Sequence, residues 1–320
     1  MKIDVQQAAE FLRSNDDYLI LMHASPDGDT LGCGHALCGA LQRMGKHAKA
    51  VCPDEIPRKF DYLAAAVKVQ EFEPKNVICV DIADTKLLGD MKEVGDTAKL
   101  SIDHHESNTD YAGMSLLREG YAAAAELVYE VINALGVPFD KPLADCIYTG
   151  LSTDTGCFKF SNTTPQTHII AAEMMKFGAD HETINYVHFD LKSPSRIKLE
   201  QDVLNNIRYY EGGRVALISV PLSLLDGLPD IDSDDIGALA SIPRQIEGVD
   251  IGICVKERKP GFFKVSLRTG SLINAAEICA KFGGGGHDRA SGCSFSGTLE
   301  DTENTIVEAA CEAIRNTLGK

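Results

Sequence analysis

The residues able to do chemistry fall into short stretches rich in carboxylate and imidazole. "HASPDGD" holds His23, Asp27 and Asp29; "VDIAD" holds Asp81; "IDHHES" aligns Asp103, His104 and His105; "STDTG" holds Asp154. The first three follow the apolar runs "YLILM", "NVICV" and "AKLSI", and the last ends the helical pattern "ADCIYTGL". Taken singly, each stretch fits a solvated strand end or an accidental His-His pair. If the apolar runs are parallel strands, all of them deliver their polar groups to one edge of the sheet, with several carboxylates within a few ångströms. Like charges at that range push carboxyl pKa values up strongly. Coupled protonation at neutral pH is one resolution, and divalent cations are the other. Two such cations would balance Asp27, Asp29, Asp81 and Asp154. Oxygen-rich ligation with some imidazole and no thiolate suits Mn²⁺ or Mg²⁺ better than structural Zn²⁺.

The elements needed to position such a cluster are legible. Apolar runs at 18–24, 48–52, 76–83 and 99–103 predict strands, and periodic stretches at 30–45, 121–135 and 142–151 predict helices. This alternation predicts an α/β domain with an open, mainly parallel sheet and helices on both faces. Ligands in such sheets bind at the carboxyl ends of the strands. Thr164 and Pro165 supply an N-cap and first-turn proline for "QTHIIAAEMMKFG", which Gly178 stops. The polar, proline-containing "DLKSPSRIK" then interrupts the periodicity, which divides the chain into a domain at 1–190, a linker at 191–206 and a smaller α+β domain at 207–320.

In the smaller domain a strand is expected at 214–220, a hairpin at 250–270 turning at Lys259-Pro260-Gly261, and a closing amphipathic helix at 300–318. The run Gly283, Gly284, Gly285, Gly286 before His287 permits positive φ and lets backbone N–H groups approach an anion. Arg268 in "VSLRTG" adds a guanidinium donor for a phosphate or base edge. Cys33 and Cys38 sit on a helical apolar pattern and read as core; His35, His47, His168, His181 and His188 belong to no motif.

Composition narrows the partners. At 320 residues, two cores are the natural arrangement. A net charge of −16 argues against non-specific binding of duplex DNA, which depends on Lys and Arg neutralising phosphates. The ten cysteines lie mostly in apolar stretches and form no C-x-x-C pair, which suits a reducing compartment and argues against a zinc ribbon. The charged start "MKIDVQQAAEFLRS" and the lack of a long apolar run lead us to expect a cytoplasmic protein without membrane spans. Composition does not set the oligomeric state; a homodimer is one arrangement it leaves open.

The ordered set "HASPDGDTLG", "VDIAD", "IDHHES", "STDTGCFKFSNTT" and "KFGGGGHDRASGCSF" resembles the DHH phosphoesterase family with its DHHA1 substrate domain, over nearly the whole chain. Length and domain order are most similar to that family's oligoribonuclease group, which includes phosphatases for 3′-phosphoadenosine 5′-phosphate. The resemblance implies a dinuclear, commonly manganese-dependent site. His23, Asp27 and Asp81 would hold one ion; Asp29, Asp81, His104 and Asp154 would hold the other. It further implies that Asp103 orients its neighbours, that His105 faces the substrate phosphate, and that the DHHA1 domain folds across a cleft to hold the nucleotide end. The implied activity is hydrolysis of short oligoribonucleotides and linear dinucleotides such as pApA, and of 3′-phosphoadenosine 5′-phosphate to AMP. A cyclic dinucleotide phosphodiesterase is the competing enzyme; a nucleotide-binding regulator with an inactive metal site is the competing non-enzyme. Lys159 stands where many relatives carry Arg, which keeps a cation but loses the planar fork for phosphate.

Overall fold

The structure is a computed structural model that describes residues 1–231 and 233–318. It divides into two compact units, Met1–Leu191 and Lys192–Lys320. Residues 232, 319 and 320, assigned above to the smaller domain, lie outside the described residues.

The first unit contains, in order, α1 (Val5–Ser14), β1 (Tyr18–Leu21), α2 (Gly28–Arg43), β2 (Ala48–Val51), β3 (Asn76–Val80), α3 (Lys92–Gly95), β4 (Leu100–Asp103), β5 (Met114–Leu117), α4 (Ala124–Leu135), α5 (Lys141–Asp154), α6 (Pro165–Lys176) and α7 (His181–Asn185). Its sheet has the order β2-β1-β3-β4-β5, and every pairing is parallel. A parallel strand covered on both faces reads as an unbroken apolar run, which is why "YLIL" of β1 is wholly buried. One face packs Ile20, Ile78, Leu100 and Ile102 against helices α1, α2, α4 and α5. The other packs Leu19, Leu21 and Cys79 against Ile82, Leu88 and Ala98.

Close helix packing positions the sheet edge. A Cβ on Gly32 of α2 would collide with the Cys146 carbonyl of α5, and one on Gly150 of α5 would lie 2.6 Å from Asp29 Oδ1. Only glycine at these positions lets α2 and α5 approach closely enough to bury Asp29 between them.

The second unit contains α8 (Pro194–Asn205), β6 (Arg208–Tyr210), β7 (Val215–Val220), α9 (Ser233–Ala238), β8 (Ile251–Lys259), β9 (Phe262–Thr269), α10 (Ala275–Ala280), β10 (Gly285–His287), β11 (Ala290–Ser296) and α11 (Leu299–Leu318). Its mixed sheet runs β10-β11-β9-β8-β7-β6, with β7 and β8 parallel and the other pairs antiparallel. Most of the stretch expected as a linker is instead α8, whose Leu199 and Val203 pack against Ile218 and Cys254. Ser193 caps this helix by accepting from the Arg196 N–H, and Pro194 opens it, so the same polar residues that suggest a linker are a helix-start signal. Among the described residues, no helix is long and apolar enough to cross a membrane.

Candidate metal centre

The parallel strands bring the sequence clusters to one edge. His23 and Asp27 follow β1, Asp81 follows β3, and Asp103 ends β4 with His104 and His105 after it. Asp29 and Asp154 come from helices rather than from strand ends. Helix α2 begins at Gly28, two residues before the expected start at Thr30, because the Asp27 carboxylate caps it by accepting from the Asp29 and Thr30 N–H groups at 3.0 and 3.1 Å. Asp154 is the last residue of α5.

These groups form overlapping triads. Ligand atoms of His23, Asp27 and Asp81 lie within 4.8 Å of one another, as do those of Asp29, His104 and Asp154, and those of Asp81, His104 and His105. Asp81 is in the middle: its Oδ2 is 3.7 Å from His23 Nε2, and its Oδ1 is 3.6 Å from both His104 Nε2 and His105 Nδ1. Only 3% exposed, Asp81 carries an Oδ1 with no hydrogen-bond partner. Its own backbone has φ 58°, in the left-handed region, with the N–H donated to the Ile102 carbonyl. A buried acceptor without a donor is costly, and such sites are rare in folded proteins.

The imidazoles are fixed from behind. His23 Nδ1 lies 2.8 Å from the Ala24 carbonyl and His104 Nδ1 lies 3.0 Å from the Tyr121 carbonyl. Each Nδ1 therefore carries the proton as donor, and each Nε2 turns a lone pair toward carboxylates. That is the arrangement that prepares histidine for a metal. His105 is built differently. Its Nδ1 sits 2.8 Å from Asp103 Oδ1, and its side chain is 43% exposed. Asp103 is itself held by Asn108, whose Nδ2 donates to Oδ2 at 2.6 Å.

Electrostatics follow from this crowding. Burial, then the charges of Asp29, Asp27, Asp154 and Asp103, push Asp81 well above the usual carboxylate range. Burial and the Asp29 and Asp27 charges push Asp154 up to about 8. Burial also raises Asp29, although the N–H groups of Ala124 and Ala125 at the start of α4 donate to it at 2.6 and 3.0 Å. Asp103 goes the other way: burial raises it, but hydrogen bonds from His105 and Asn108 outweigh that and hold it low. The Asp103 hydrogen bond correspondingly raises His105.

The residues present fit divalent cations. An unpaired buried carboxylate oxygen, two imidazole lone pairs and several mutually repelling carboxylates are what a cation would satisfy together. The positioning partners were not legible as motifs: Asn108 lies in a polar loop, and the Ala124 and Ala125 donors are backbone. The buried run "AAAAE" at 122–126 is the one sequence signal that a neighbour comes close there.

The second unit gathers another part of the sequence-derived set. Arg268 on β9, Ala290 on β11 and His287 on β10 are directly paired across three strands. The glycine run is not wholly a loop. Gly285 and Gly286 pair with β11, and a Cβ on Gly284 would strike the Gly292 carbonyl, so part of the run serves strand packing. Gly283 has φ 70° and Gly286 φ 144°, conformations that favour glycine.

Comparison with known proteins agrees with this picture. Residues 17–151 match the DHH family N-terminal domain, and residues 221–316 match the DHHA1 domain. The chain is 30% identical over 303 residues to the bifunctional oligoribonuclease and PAP phosphatase NrnA of Thermus thermophilus, covering 92% of this chain and 89% of that protein. Identity to the Bacillus subtilis protein of the same description is 25% over 286 residues, covering 88% and 90%. The crystal structure of an exopolyphosphatase-related protein from Bacteroides fragilis aligns with TM-score 0.86 at 25% identity, covering 99% of this chain and 97% of that one. By domain content, identity and fold, the chain belongs to the DHH phosphoesterase family.

Proposed function

We propose that this protein is a divalent-cation-dependent phosphodiesterase that hydrolyses short oligoribonucleotides and linear dinucleotides to mononucleotides, and 3′-phosphoadenosine 5′-phosphate to AMP. The observation that carries it is Asp81: buried, unpaired at Oδ1, and flanked by His23 and His104 whose Nε2 atoms face it. His23, Asp27 and Asp81 would hold one cation; Asp29, Asp81, His104 and Asp154 would hold the second. Mn²⁺ best suits this oxygen-rich donor set, with Mg²⁺ the alternative. Bound cations of this kind supply a nucleophilic water at neutral pH and stabilise charge on phosphoryl and leaving oxygens.

The chain's own residues do the rest. Asp103 accepts from His105 Nδ1 and holds the imidazole with its other nitrogen free for a phosphate oxygen. The raised His105 pKa favours the protonated form, a donor suited to a phosphate oxygen or a departing alkoxide. Arg268, His287 and the run Gly283, Gly284, Gly285 and Gly286 would take the nucleotide's phosphate or base edge. The close curated relatives named as oligoribonuclease and PAP phosphatase support this substrate class. A negatively charged chain with no Trp fits short substrates better than a long single strand, which calls for a basic groove and stacking aromatics.

The test is turnover with Mn²⁺ of pApA, a 5-mer, a 24-mer, 3′-phosphoadenosine 5′-phosphate, cyclic diadenylate and pyrophosphate. Fastest turnover of pApA supports the reading; fastest turnover of cyclic diadenylate selects the cyclic dinucleotide enzyme. Nucleotide binding without turnover of any of them selects the regulator.

A further inference from the structure

The turn that follows Asp154 is held in an unusual conformation. Gly156, Cys157 and Phe158 all lie in the left-handed region, with φ of 57°, 58° and 61°. Two of them are not glycine, and such residues persist there only when the surroundings hold them. The Cys157 N–H donates to the Ser152 carbonyl at 2.7 Å, the Phe158 N–H donates to Thr155 Oγ1 at 3.0 Å, and the Lys159 and Phe160 N–H groups share the Thr155 carbonyl at 3.0 and 2.9 Å.

This conformation sends two aromatic residues in opposite directions. The ring of Phe158 is half-buried against the core, 5.8 Å from Tyr148 and 5.2 Å from His168 between centroids. Phe160 folds back over Gly156, so close that a Cβ there would fall within its ring. The residue is nevertheless 59% exposed and, among the described residues, its ring pairs with no other aromatic ring. Beside it, Lys159 holds its ammonium 5.5 Å over the Phe189 ring and forms no salt bridge among the described residues. Burying a phenylalanine ring would stabilise the fold. Here the chain spends left-handed backbone to leave one open instead.

The position suits a ligand. Gly156 lies two residues beyond Asp154, so its Cα is within about 7 Å of that residue's Cα. In a nucleotide the base lies several ångströms from its phosphate, so a phosphate at Asp154 and His104 would leave its base to be met by groups next to that cluster, and this turn is the chain that directly follows Asp154. We propose that Phe160 is the stacking platform for that base. The inference deepens the phosphodiesterase reading and rests on it. Because every base has a π-face, such a platform holds purines and pyrimidines alike, and its contribution is uniform binding rather than chemistry.

Two variants test it. Phe160→Trp introduces the chain's only tryptophan, whose fluorescence AMP should quench saturably, whereas ribose 5-phosphate should not. Phe160→Ala should raise KM for pApA about tenfold, the scale of losing one base stack, with kcat within about threefold. Its KM for an abasic dinucleotide should match wild type, and Phe160→Tyr should behave as wild type on both. Unchanged KM for pApA in Phe160→Ala, or an equal rise for the abasic substrate, overturns the proposal, as does a Trp signal indifferent to AMP. Absence of turnover by the wild-type protein would instead refute the phosphodiesterase reading, and the AMP titration would still decide whether the ring stacks a base.

Discussion

Replacing Asp81 with asparagine should make the protein more stable without metal and less stable with it. In the absence of cations, Asp81 is buried beside Asp29 and Asp154 with Oδ1 unpaired, so its charge is opposed both by burial and by its neighbours. Asparagine keeps the shape and removes the charge. It also tolerates the left-handed backbone at φ 58°, which alanine would not. What asparagine relieves is the penalty on ionising one buried, crowded carboxyl, taken at about 1–3 kcal/mol, the scale of an uncompensated buried group. In a unit of this size that raises Tm by about 2–12 °C. The assay is thermal unfolding of both proteins after EDTA treatment, then across a Mn²⁺ titration. At a hundredfold excess over Kd, each bound cation adds about 2.7 kcal/mol to the wild type. The variant lacks the shared carboxylate and gains little, so the order of stabilities inverts. A metal-free Asp81→Asn protein less stable than metal-free wild type, or an equal Mn²⁺ shift in both, would refute the reasoning.

Other outcomes follow from the same geometry. Asn108→Ala removes the donor to Asp103 Oδ2 and should lower kcat with pApA by about 10–100-fold, with Mn²⁺ affinity measured by calorimetry changing less, because Asp103 positions His105 and ligates nothing in our assignment. Gly32→Ala should cost more than about 2 kcal/mol in urea unfolding because its Cβ meets backbone of α5, whereas Gly34→Ala meets the buried but unbranched Met22 side chain, which can change rotamer, and should cost less than Gly32→Ala. His188 is held near pKa 4 by burial and by the Lys59 charge, with Tyr62 Oη 2.9 Å from its Nε2. Its folded pKa is below the ordinary 6.5, so the unfolded chain binds more protons between these values. The stability it contributes is therefore complete above pH 6.5 and lost as pH falls toward 4, by up to about 3 kcal/mol. Urea midpoints at pH 7 and pH 4.5 should converge in His188→Phe relative to wild type.

The legibility of this fold tracks where information resides in the chain. Apolar runs bounded by turns identified β1 to β4, because strands buried on both faces must be continuous in sequence. β5 was not expected: "MSLL" is only half-buried at both ends and follows a polar stretch, so little but its parallel pairing to β4 marks it as a strand. α8 hid behind the polar cap residues Ser193 and Pro194, which mark a linker as readily as a helix start. In the cluster proposed to hold the cations, the side chains His23, Asp27, Asp29, Asp81, His104 and Asp154, which the structure brings together in overlapping triads, all lie in the motifs. Their supports do not. The carbonyls of Ala24 and Tyr121 behind the histidines, and the N–H groups of Ala124 and Ala125 beneath Asp29, belong to backbone that any sequence would supply. The conformation of Phe158 and the exposure of Phe160 likewise go with local hydrogen bonds of the turn to Ser152 and Thr155, which no residue pattern announces.

The most direct measurement of the central claim is the rate of pApA hydrolysis by metal-stripped protein on stepwise return of Mn²⁺, for wild type and Asp81→Asn side by side. The account predicts no turnover without cation, recovery in the wild type that saturates at two equivalents, and at least about a thousandfold lower rate in the variant at every Mn²⁺ level. Turnover that persists in EDTA, or an Asp81→Asn protein that hydrolyses pApA at the wild-type rate, would contradict it.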